Sequence, residues 1–73
     1  MKELTYAQSL SITERAIRRK VEMAARCEAG SAMQRGCLGT ARTILAGWLR
    51  YVDASEDDVA QLVALIEREA ARE

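Results

Sequence analysis

The chain has 73 residues, with no His, no Pro, no Phe and a formal net charge of zero. That length allows one domain with a modest core. The absence of His beside only two Cys excludes a structural zinc site, and zero net charge weighs against a protein held to nucleic acid by phosphate neutralisation. With hydrophobic residues at 49 % and aromatics at 4 %, a core must be built from Ala, Leu, Ile and Val, in a composition that favours helix.

The opening segment, MKELTYAQSL, lacks the apolar run of a signal peptide. No stretch approaches the roughly 18 apolar residues of a membrane span, so the expectation is a soluble, cytoplasmic protein with no membrane partner. Residues 1–10 are read either as a flexible segment or as a backward extension of the first helix, because Leu4, Ala7 and Leu10 stay on its apolar stripe. The helix itself is predicted over 11–28. It starts at the capping box Ser11-Ile12-Thr13-Glu14, carries Ile17, Val21 and Ala24 at helical spacing, and is ended by Gly30. Arg15, Arg18, Arg19, Glu22 and Arg26 share one of its faces. The i,i+4 pairs Arg18–Glu22 and Glu22–Arg26 predict a solvated, self-paired face, and the functional alternative is a basic contact strip of Arg15, Arg18, Arg19 and Arg26.

A second helix is predicted over 32–52, opened by Ser31-Ala32-Met33-Gln34. Its apolar positions, from Met33 and Cys37 to Trp48, Leu49 and Val52, cover nearly half the circumference, which suits a central helix. Gly36, Thr40, Thr43 and Gly47 form a small-residue stripe on another side. Each glycine costs nearly 1 kcal/mol of helix stability relative to alanine, so the stripe is read as a place of close helix packing, against a neighbour in the chain or another subunit. Arg35, Arg42 and Arg50 lie beside it. Together with Trp48 and Tyr51 they are the candidate partner or oligomer contacts, since large amphipathic aromatics anchor interfaces well.

The same segment has a second reading. Leu38-Gly39 and Trp48-Leu49 stand at a spacing that resembles the Cro- and repressor-like helix-turn-helix family. That resemblance implies a turn at Gly39 and a recognition helix reading DNA through Thr40–Leu49, with Arg42, Thr43 and Gly47 toward the major groove. The family's motif wants a small residue where Arg35 stands, and Gly47 offers no side chain to a base. One unbroken helix is therefore the preferred reading.

The third helix, 56–71, has the clearest ends. Ser55 caps it, Glu56, Asp57 and Asp58 sit at its positive end, and Arg68 and Arg72 lie near its negative end. Val59, Leu62, Val63, Ile66 and Ala70 form its stripe. Loops this short predict antiparallel neighbours, so the expected fold is a single all-α domain over 1–73, a small three-helix bundle that oligomerises.

Charge is divided along the chain. Ser11–Val52 carries eight basic and three acidic residues (net +5), and Asp53–Glu73 carries two basic and seven acidic (net −5). Such a division pairs within the fold, pairs between subunits, or shows one sign to a partner. Cys27 and Cys37 are expected as free, mostly buried thiols, with a disulfide between them geometrically open. Without His, an activated nucleophile or a glycine-rich phosphate loop, neither an enzyme nor a cofactor is expected. The functional expectation is a small interaction protein, a homo-oligomer and first of all a dimer. It would block a host protein in the manner of phage or mobile-element inhibitors, the anti-CRISPR and other anti-defence class. A helix-turn-helix DNA regulator is the alternative.

Overall fold

A computed structural model describes residues 4–72. Within them the chain forms three helices and no strand: α1 (Tyr6–Ala25), α2 (Ala32–Tyr51) and α3 (Glu56–Ala70).

The first helix begins earlier than its predicted start at Ser11. Thr5 is the cap: its hydroxyl accepts from the Gln8 amide (3.1 Å), and the Gln8 side chain accepts from the Thr5 amide (2.9 Å). This is a complete capping box, and Ser11-Ile12-Thr13-Glu14 lies inside the helix. Residues 6–10 are thus the helical extension. The far end comes at Ala25 rather than near 28, and the chain turns through Gly30, whose φ of +78° is left-handed.

Ser31 then caps α2 by accepting from the Gln34 amide (3.1 Å). The Gln34 side chain reaches one residue further back than a capping box requires and accepts from the Gly30 amide (2.6 Å). From Ala32 the helix runs unbroken through Gly36, Gly39 and Gly47 to Tyr51. Gly39 has no positive φ, so the turn implied by the helix-turn-helix resemblance is not formed. The third helix has the predicted cap, with Ser55 accepting from the Asp58 amide (3.2 Å) and three acidic residues in the first turn.

Side-chain bonds at the two ends of the bundle fix the helix directions. At one end Trp48 of α2 donates to Ser9 of α1 (3.1 Å), and Tyr6 of α1 donates to Asp58 of α3 (2.5 Å). At the other, Gln34 of α2 donates to the Glu69 carboxylate of α3 (2.9 Å), while Arg72 donates to the carbonyls of Ala24 and Cys27 (3.2 and 3.0 Å). The helices therefore run up, down, up, with α2 antiparallel to both neighbours.

Between these ends lies an aliphatic core of Ile17, Ala24, Leu38, Ala41, Leu45, Leu62 and Ile66, closed by Trp48. Burying each large side chain contributes about 1.5–3 kcal/mol relative to exposure. Both cysteines are free and half-buried, and the Cys27 thiol donates to the Met23 carbonyl (3.3 Å).

Candidate interaction surface

On α2 the buried positions Gln34, Leu38, Ala41, Leu45 and Trp48 share one side. At 3.6 residues per turn, the opposite side carries Gly36, Thr40, Thr43 and Gly47. All four are exposed, and a methyl built at either glycine would meet nothing within 4 Å. The predicted close packing of this stripe against α1 or α3 is thus overturned: the chain buries the apolar side of α2 and leaves the small-residue side open. Thr40 and Thr43 turn their hydroxyls back onto the Gly36 and Gly39 carbonyls (3.0 Å each), so the threonine polar groups are satisfied within the helix.

The predicted contacts separate into two groups. Trp48 is only 8 % exposed; its ring lies 5.9 Å from that of Tyr6, and it belongs to the core rather than to a contact surface. Arg35 donates to the Gly30 carbonyl (2.6 Å) and clasps the preceding turn, while Arg42 pairs with Glu67 of α3 (3.3 Å). Tyr51 (83 % exposed) and Arg50 remain open to solvent. Met33, one of the apolar positions of the predicted central helix, is 72 % exposed. The apolar arc of α2 is wide because it includes Met33 and Leu49, which the structure leaves exposed.

Two observations fix where α1 stands relative to this open side. Trp48 meets Ser9 on one flank of α2, and Arg42 meets Glu67 on the other. With α1 antiparallel to α2, helical periodicity turns its exposed Ile12 and Met23, with half-buried Ala16, toward the same side as the α2 stripe. The α1–α2 layer thus presents one broad face away from α3. Exposed apolar residues are ordinary when scattered, but here Ile12, Met23, Met33 and Tyr51 share a face.

The basic strip of α1 behaves differently from its predicted pairing. Arg18 pairs with Glu14 (3.0 Å) and lines a shallow groove of about 300 Å3 against α3. The predicted Arg18–Glu22 and Glu22–Arg26 pairs are not formed, and among the described residues Arg15, Arg19 and Arg26 make no ion pair. Arg15 and Arg19 instead flank Ile12 and Ala16 in a second groove.

Two polar clusters at the bundle ends were not visible in the sequence. Gln34, Glu69 and Arg72 form one, with Glu69 buried and its carboxylate accepting from Gln34 (2.9 Å) and Arg72 (2.8 Å). The Gln34 bond is the main influence holding the Glu69 carboxyl below its usual range, against the opposing effect of desolvation. Tyr6, Ser55 and Asp58 form the other, in which the Tyr6 and then the Ser55 hydrogen bond lower the Asp58 carboxyl. The Ser55–Asp58 and Glu69–Arg72 links are local, whereas Tyr6 and Gln34 join them through long-range pairing that residue types do not show.

Among the described residues no group of three or more His, Cys, Asp or Glu is placed to hold a metal ion, and no helix is long and apolar enough to cross a membrane. Compared with protein-family models, curated proteins and solved structures, the chain matches none.

Proposed function

We propose that this chain is a non-enzymatic protein–protein interaction module that works as a homo-oligomer. In this reading it acts by covering part of a host protein, as small phage or mobile-element inhibitors of the anti-CRISPR and other anti-defence class would. The observation that carries the reading is the α1–α2 face, where Tyr51 and Met33 stand 83 % and 72 % exposed beside Ile12 and Met23. A small chain that leaves Met33 and Tyr51 outside its own core has surface to offer, in the first place to a second copy of itself. The unpaired arginines Arg15, Arg19 and Arg26 on the same helix layer suit a partner of acidic character.

Affinity capture from the native host, with wild type and with Arg15→Glu/Arg19→Glu, tests this. The expected result is one host protein retained in stoichiometric amount by the wild type and lost with the charge-reversed variant. Salt-dependent retention of duplex DNA in its place would transfer the reading to the DNA regulator. Capture of no protein would overturn the inhibitor reading.

A further inference from the structure

The open side of α2 reads the same in both directions. Glycine stands at 36 and 47, threonine at 40 and 43, and the midpoint of both pairs falls between Ala41 and Arg42. Gly36 and Gly47 are eleven residues apart, about three helical turns, so both lie on one line along the helix. A helix with such a stripe is complementary to an antiparallel copy of itself. We infer that the α1–α2 face is the interface of a two-fold symmetric dimer, in which α2 packs antiparallel on the partner's α2. This rests on the homo-oligomer part of the proposed function and gives it a geometry.

In that register Gly36 opposes the partner's Gly47, and Thr43 meets the partner's Thr43 close to the axis. Two-fold contacts are self-complementary by symmetry, each made twice. The glycines allow the backbones to approach closely, and the threonines bring methyl groups to the contact because their hydroxyls are already bonded to Gly36 and Gly39. Towards the ends the pattern is again complementary. Met33 and Tyr51 are the two most exposed large apolar side chains of the described residues, and they lie on the α1 side of the stripe. The two-fold operation brings Met33 beside the partner's Tyr51 at both ends, a favourable thioether–aromatic pairing.

The charges of α2 lie clear of the contact, and on α1 Arg15 and Arg19 stand beside Ile12 at its outer edge. Arg35 and Arg42 point toward the flank that carries α3, where Arg42 meets Glu67. Arg50 lies at the margin, beside the partner's Ala32 and far along the axis from the partner's Arg50. Ile12 and Met23 of α1 widen the apolar area on the same side. A standard interface of about 800 Å2 per partner would take roughly a seventh of the 5384 Å2 exposed by one copy.

The glycines make the test clean, because a side chain at 36 or 47 meets nothing inside the monomer. Sedimentation equilibrium on the full chain is expected to show a dimer. Gly47→Leu is expected to weaken it about a hundredfold or more, since the added bulk enters two equivalent contacts, with helix content by circular dichroism unchanged or higher. Ala60→Leu, which places the same side chain on the exposed side of α3, leaves dimerisation as in the wild type. In a Cys27→Ala/Cys37→Ala chain, Thr43→Cys is expected to cross-link to the partner under mild oxidation, and Ala60→Cys is not. A wild-type monomer would sink both this interface and the homo-oligomer reading. A dimer that tolerates Gly47→Leu, or in which Thr43→Cys fails to cross-link, would leave the oligomer standing and overturn this geometry.

Discussion

Gly30 and Gly39 place opposite demands on the same residue type. At Gly30 the backbone is left-handed, with φ +78°, and the turn between α1 and α2 depends on it. A Cβ there meets no atom within 4 Å but still suffers the local clash of a left-handed L-residue. Gly30→Ala is expected to cost about 1–2 kcal/mol in urea unfolding. Gly39 lies within a regular helix, also with no atom near its absent Cβ. Gly39→Ala is expected to stabilise the fold by roughly 0.5–1 kcal/mol, as alanine replaces glycine in a helix interior. A loss at Gly39 of the size expected at Gly30 would mean that the chain turns there after all.

The three helices were readable to different depths, and the reason is how local their determinants are. Ser55 and the acidic turn after it mark α3 through contacts three residues apart, so sequence and structure agree. At α1 two boxes compete, Ser11 with Glu14 and Thr5 with Gln8. The second wins because Tyr6 is also held by Asp58 and Ser55, 52 and 49 residues away, which no local pattern shows. Thr5→Ala is therefore expected to destabilise by about 1 kcal/mol, and Ser11→Ala to be neutral or slightly stabilising, by thermal or urea unfolding. On α2 the helical wheel found the small-residue stripe but not its direction. Which side of a wide apolar helix turns inward depends on the size of the neighbours' core, and an aliphatic core this small takes Trp48 and leaves Met33 and Tyr51 outside. Periodicity fixed the faces of α2, and tertiary packing chose among them.

Taken as a whole, the molecule sets its acidic helix against a basic layer through few direct pairs. Arg42–Glu67 is the one ion pair between helices among the described residues, and both side chains are half-exposed or more, so it contributes little. Buried Glu69 and capping-turn Asp58 are the electrostatically sensitive positions. Both carboxyls are held below their ordinary values, 4.5 for Glu69 and 3.8 for Asp58. A lowered folded-state pKa gives stability that is present above the unfolded value and lost as pH falls through the folded one. The thermal midpoint is expected to be level from neutral pH to about 5 and to decline below it. Glu69→Gln should reduce that acid-side decline, and a profile as steep as the wild type's would remove Glu69 from the account.

Tyr6 gives the bundle one more property. Its hydroxyl donates to Asp58 and accepts from the Ser55 amide, and its ring packs beside Trp48. The first turn of α1 is thereby tied to the first turn of α3 and the last turn of α2. Fraying, which in most helices is a private event of the terminal turn, here breaks hydrogen bonds to α3 and its cap and removes the ring packed beside Trp48 at once. The three turns at that end of the molecule are expected to open together, with their amides showing one shared protection in hydrogen exchange.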